Sequence, residues 1–153
     1  MKIFSAFALC FICINLYACN DSNVEQSNSM IKTLNTDTLK LKITIGTNIF
    51  IATLYDNATA KAFKAKLPMT INMTELNGDE KYYDLPERLP TNASNPGILQ
   101  TGDLMLFGSK TLVLFYKIFS TSYSYTRLGR IDSPSGLVAA LDSGNVTVTF
   151  EVE

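Results

Sequence analysis

Leu39-Lys40-Leu41-Lys42-Ile43-Thr44-Ile45-Gly46-Thr47-Asn48-Ile49-Phe50-Ile51-Ala52-Thr53-Leu54 is the stretch whose reading decides the fold. Leu39, Leu41, Ile43 and Ile45 alternate with Lys40, Lys42 and Thr44, so one face is apolar and the other polar. Period-2 alternation rich in β-branched residues is a half-buried strand. Gly46-Thr47-Asn48 reads as a turn and Ile49 to Leu54 as a returning strand, which makes a β-hairpin.

Downstream, the same signals recur. Ala58, Ala60, Ala62, Phe63 and Ala65 predict a helix from a cap at Asp56 to about Lys66, with Ala60, Phe63 and Leu67 on one face and Pro68 ending it. Lys61, Lys64 and Lys66 on that helix read as a solvated face. Met69, Ile71 and Met73 alternate with Thr70, Asn72 and Thr74 in a third strand. Asn77-Gly78 is a strong hairpin signal, with Glu80 to Asp84 returning. A long loop, Pro86 to Leu99, holds three prolines, and its length suits a lid. Gly102 to Phe107 and Thr111 to Lys117 are almost wholly apolar around Gly108-Ser109, as strands covered on both faces are. Ser124 to Ile131 is a further strand. Ser133-Pro134 opens a second short helix ending near Asp142, and Val146, Val148, Phe150 and Val152 alternate in a last strand. About eight strands and two short helices, without regular βαβ alternation, predict an all-β domain built as a closed eight-stranded barrel, which also leaves no exposed edge.

Upstream, Met1-Lys2 is followed by an apolar run from Ile3 to Leu16 that is too short to span a bilayer. Leu16-Tyr17-Ala18-Cys19 looks like a bacterial lipobox, so residues 1–18 are expected to be a lipoprotein signal peptide, with lipid on Cys19. A lipidated Cys19 would hold the chain on the outer side of a membrane in the cell envelope, because two or more acyl chains anchor stably. Residues 19–38 are rich in Asn, Ser, Asp and Thr and read as a flexible tether spanning roughly 24 Å as a random coil. Residues 39–153 are the barrel domain.

Composition excludes much. All three cysteines (Cys10, Cys13 and Cys19) lie in or at the end of the signal, leaving no disulfide in the barrel. The chain has no histidine, which removes the usual general base near neutral pH, the Ser-His-Asp arrangement and the common zinc sites. No cofactor and no metal ligand set is predicted. The formal net charge is −1, and no basic stripe supports nucleic-acid binding.

Ile43-Thr44-Ile45-Gly46, Phe50-Ile51-Ala52-Thr53-Leu54-Tyr55-Asp56-Asn57, Leu67-Pro68-Met69-Thr70, Gly102-Asp103-Leu104, Leu114-Phe115-Tyr116 and Leu128-Gly129-Arg130-Ile131, in that order, resemble the bacterial and archaeal cyclophilin-like barrel family. The resemblance runs from about Leu39 to Glu153 and implies the cyclophilin fold. Cyclophilins proper isomerise X-Pro bonds in a pocket on the barrel's outer face, using an arginine with Phe, Gln, Trp and His neighbours. This chain lacks His and Trp and shows no Arg-x-x-x-x-Phe-x-x-Gln pattern, so no catalytic residue is carried over.

Candidate ligand-binding residues therefore rest on their own chemistry. Arg127 lies between aromatic and apolar neighbours and has a planar fork suited to a carboxylate or carbonyl. Strict alternation puts it on a face with Tyr125 and Gly129, where the glycine leaves room for an approaching group. Tyr82 and Tyr83 follow the Asn77-Gly78 turn beside Glu80, a rim suited to ligand or peptide contact. Met73 suits the barrel core or, alternatively, an adaptable apolar groove, and Arg88 sits at the start of the proline-rich loop. Gly102-Asp103 reads as a turn whose carboxylate bonds backbone. The expected function is a non-catalytic domain binding a small molecule or extended peptide. The alternative is a peptidyl-prolyl isomerase acting on exported proteins, with Arg127 as its donor.

Overall fold

A computed structural model describes residues 39–141 and 144–153. The signal peptide, Cys19 and the tether lie outside the described residues. Ten strands and two short helices follow in order: β1 (Lys40–Ile45), β2 (Asn48–Leu54), α1 (Ala58–Lys64), β3 (Met69–Leu76), β4 (Glu80–Asp84), β5 (Ile98–Leu99), β6 (Asp103–Phe107), β7 (Thr111–Phe115), β8 (Phe119–Ser120), β9 (Tyr125–Ile131), α2 (Leu137–Leu141) and β10 (Val146–Val152). Eight strands close into an antiparallel barrel in the order β1-β10-β3-β4-β7-β6-β9-β2, and β5 and β8 form a separate two-stranded sheet. The closed eight-stranded barrel with two short helices is the architecture expected from the pattern.

The turns follow their residues. β1 and β2 meet through Gly46 and Thr47, with Ile45 opposite Asn48 and Gly46 at φ +57°. A positive φ at the first turn residue matches the right-handed twist of the flanking strands. Asn48 thus belongs to β2 rather than to the turn. Asn77 and Gly78 both take positive φ between β3 and β4, at 57° and 72°.

The barrel interior is filled by alternate residues. Leu41, Ile43, Ile45, Ile71, Met73, Leu104, Leu106, Leu112, Leu114, Val148 and Phe150 form one buried cluster. The two helices add to it from opposite ends, because β2 and β9, which they follow, run antiparallel. α1 inserts Ala60 and Phe63, with Phe63 edge-on to Phe150 at 5.8 Å. α2 inserts Leu137 and Leu141. Both helices are shorter than expected. Asn57, not Asp56, is the cap of α1: its backbone is extended and its Oδ1 accepts the Ala60 N–H at 2.8 Å. α2 begins at Leu137 rather than at Pro134, because Gly136 sits at φ +82°, outside helical geometry.

A second cluster lies on the outer wall. Leu99, Met105, Val113, Phe115 and Tyr125 are buried there, with Tyr82 and Phe119 packed against them. This explains the double-sided apolar pattern of β6 and β7: Leu104, Leu106, Leu112 and Leu114 face the interior, while Met105, Val113 and Phe115 join the outer cluster under β5 and β8. The proline-rich loop is fastened along its length rather than free as a lid. Leu85 and Leu89 are buried in the main core, the Pro90 carbonyl accepts the Thr59 hydroxyl, Ser94 bridges to Tyr125, and Ile98–Leu99 pair with β8.

Candidate functional site

A cavity of about 560 Å³ opens on the outer wall, between the β3–β4 turn, strands β4 and β7, the end of β6 and the segment leading from β8 into β9. Five aromatic residues line it: Tyr82, Phe107, Phe119, Tyr123 and Tyr125. All but Tyr82 belong to one ring-to-ring chain. Tyr123 packs edge-on against Phe107 at 5.9 Å, Phe107 against Tyr125 at 5.5 Å, Tyr125 against the buried Phe115 at 5.4 Å, and Phe115 against Phe119 at 5.8 Å. Phe107 and Tyr123 stay 43% and 63% exposed, so apolar surface is left uncovered at the mouth.

The acidic residues of the lining are Asp79, Glu80 and Asp84, and no lysine or arginine belongs to it. Asp84 accepts the Thr111 hydroxyl at 2.6 Å. Asp79 has Lys117 at 3.7 Å. Glu80 is half-buried, and no hydrogen bond or ion pair reaches its carboxyl from the described residues. Burial, and then the charges of Asp79 and Glu75, push its pKa up from 4.5 to about 7. Burial also raises Tyr125, helped by the Glu80 charge, with the Thr121 hydroxyl pulling the other way.

Behind this wall, on the interior face of the same strand, lies a polar cluster that the alternation did not flag. Lys81 is 0% exposed, pairs with Glu75 across β3 and β4, donates to the Gly144 carbonyl at 2.6 Å, and stands 5.4 Å from the Tyr116 ring centre. Glu75 also accepts the Tyr116 hydroxyl at 2.8 Å and the Gly78 N–H at 2.7 Å. Burial alone would raise the Glu75 pKa. The bonds from Lys81, Tyr116 and Gly78 outweigh it and hold the carboxyl below its ordinary value. Tyr116 is raised, by burial and by its bond to Glu75.

Of the residues singled out from the sequence, Glu80 and Tyr82 line the cavity together. Tyr83 does not: it pairs with Leu112 and packs against the interior cluster. Met73 is 0% exposed inside the barrel, where no groove reaches it. Arg88 is bonded to the Ser109 hydroxyl at 2.9 Å beside the β6–β7 turn. Arg127 is exposed but not part of the lining, and its carbonyl accepts the Asn57 side-chain amide, tying β9 to the cap of α1.

The expected face of β9 is also corrected. Leu104 pairs with Gly129 but Met105 pairs with Arg127, so Leu128 is the extra residue of a bulge. Alternation breaks there, and Arg127 and Arg130 are both exposed, flanking the buried Leu128 and Gly129. Nor does Gly129 leave room for a ligand: a Cβ on it would stand 2.6 Å from the Thr53 carbonyl oxygen, so the space is taken by β2. Asp103 does bond backbone, accepting the Gln100 N–H at 2.8 Å. Phe107, Phe119, Tyr123 and Tyr125 were missed as site residues. The available signal was the apolar outer face of β6 and β7, which requires a cover nearby.

A family model described as the cyclophilin-like family matches residues 43–151. The chain belongs to the cyclophilin-like family. Among solved structures, a hypothetical protein from Archaeoglobus fulgidus, determined in solution, superposes on this cyclophilin-like chain with a TM-score of 0.56 at 18% identity, over 76% of this chain and 95% of its own. At that identity the likeness extends to the fold. No curated protein matches the chain.

Proposed function

We propose that this cyclophilin-like domain is a non-catalytic binding module, held at a membrane of the cell envelope through lipid on Cys19, which takes a small molecule or one side chain of an extended peptide into its outer-wall cavity. The observation that carries the reading is the aromatic-walled cavity itself. Its volume of about 560 Å³ falls within the roughly 300–1,000 Å³ typical of small-ligand sites, which combine apolar walls with a few placed polar groups. Phe107 and Tyr123 remain open to solvent at its mouth, as suits surface that a ligand covers.

Support for the isomerase alternative is weaker. Weakening an amide's resonance needs a donor beside the proline seat, and the lining contains no arginine. The test is a screen of the full chain, in neutral-detergent micelles, against a fragment library and unstructured peptides, read by amide chemical-shift changes. Binders are expected to move Glu80, Tyr82, Phe107 and Tyr125 together. A screen in which no compound or peptide moves these residues overturns the reading. Acceleration of X-Pro isomerisation above the blank would replace it with the alternative.

A further inference from the structure

We infer that the outer-wall cavity selects an organic cation, a small amine or quaternary ammonium group seated between its aromatic rings and the Glu80 carboxylate. The inference deepens the binding proposal and rests on it.

Two features of the cavity converge on positive charge. Its walls include the rings of Tyr82, Phe107, Tyr123 and Tyr125, and aromatic rings attract alkylammonium groups most strongly where water is excluded. Its ionisable carboxyls are Asp79, Glu80 and Asp84, with no basic side chain in the lining to neutralise them. Outside the lining, Lys117 pairs with Asp79 at 3.7 Å. Lys81 points to the opposite face, where Glu75 and the Gly144 carbonyl hold it. Glu80 is therefore a half-buried carboxyl that no donor among the described residues reaches. An anionic ligand would meet the carboxylates of Asp79 and Asp84 and, once ionised, that of Glu80. A neutral apolar one would bury Glu80 without a partner, which is costly. A cation supplies what the walls and the acid both lack.

A pH signature follows. The charges acting on Glu80 are Asp79 and Glu75 from the β3–β4 hairpin, and burial, then the Glu80 charge, raise the phenol of Tyr125 from β9. Burial, and then the two acids, raise the Glu80 pKa to about 7, so much of it is protonated in the empty cavity at neutral pH. Binding a cation expels that proton, so affinity rises with pH and levels off once the carboxyl is already ionised.

The probes are choline, its uncharged isostere 3,3-dimethylbutan-1-ol, and 3,3-dimethylbutanoate, titrated by calorimetry into the full chain in neutral-detergent micelles. Choline is expected to bind at least about tenfold more tightly than the isostere, and roughly sevenfold more weakly at pH 5.5 than at pH 8, as the fraction of ionised Glu80 falls. Glu80→Gln, which keeps the shape of the side chain, is expected to weaken choline about tenfold and to flatten its pH profile. Equal binding of choline and isostere overturns charge selection but leaves the binding proposal standing, as does tighter binding of the carboxylate. If none of the three binds, the cation inference fails, and the fragment and peptide screen alone decides the broader reading.

Discussion

Glu80 and Lys81 are adjacent in the chain and face opposite sides of one strand, with opposite consequences. Glu80 faces the outer cavity without a partner, and its carboxyl titrates near pH 7 instead of 4.5. A carboxyl whose pKa is raised by folding favours the native state below its unfolded pKa and loses that contribution as pH climbs through the folded value. Glu80→Gln is therefore expected to raise the melting temperature at pH 8 and to change nothing at pH 4. After discounting for solvent screening the gain is about 1 kcal/mol, or roughly 4 °C for a domain of this size. Melting curves at the two pH values check it, and an equal shift at both would be inconsistent with this account. Lys81 is the reverse case, a fully buried cation whose partner Glu75 is held below its ordinary pKa. Stability from Glu75 is thus present above about pH 4.5 and lost as pH falls through the lowered value. Removing one member of a buried pair leaves the other uncompensated, so Lys81→Met should cost about 3–5 kcal/mol. Adding Glu75→Leu to it should recover part of this, because the Glu75 charge is then no longer left without Lys81. Urea midpoints of the single and double variants measure this coupling.

At the scale of elements, the bulge between β6 and β9 matters most. It turns Gly129 toward β2, where the Thr53 carbonyl leaves no space for a methyl group. Gly129→Ala should accordingly destabilise the domain by about 1–3 kcal/mol through forced backbone movement. Gly97→Ala, whose Cβ would meet nothing, samples instead the strain of its positive φ. A denaturation midpoint for Gly129→Ala equal to wild type would refute the crowding. This bulge also marks where the sequence stopped being readable. Strands with clean alternation, such as Lys40–Ile45 and Val146–Val152, and turns with glycine or Asn-Gly were legible, because side-chain period and positive φ leave local marks. A single extra residue in β9 leaves none, yet it changes which residues share a face with Arg127. The β5–β8 sheet escaped for a similar reason, since two residues per strand carry no period. Of the cavity, Glu80 and Tyr82 were legible because they directly follow the Asn77-Gly78 turn. Its other rings come from β6, β8, the segment between β8 and β9, and β9 itself, and only folding brings them together.

At the scale of the whole molecule, closure of eight strands settles the fold without help from disulfides. It leaves the outer wall of β4, β7, β6 and β9 available for a site while the interior stays packed. The proposed attachment makes its own prediction: the full chain should partition into the detergent phase of a cloud-point separation, and Cys19→Ser should release it to the aqueous phase. Unchanged partitioning of that variant would remove the anchor from the account without touching the barrel. One last consequence belongs to the cavity walls. The chain has no tryptophan and seven tyrosines, and Tyr82, Tyr123 and Tyr125 are all in the lining. Ultraviolet emission from this protein is therefore tyrosine emission, with nearly half its fluorophores surrounding one opening, so occupancy reports itself optically without any dye or label.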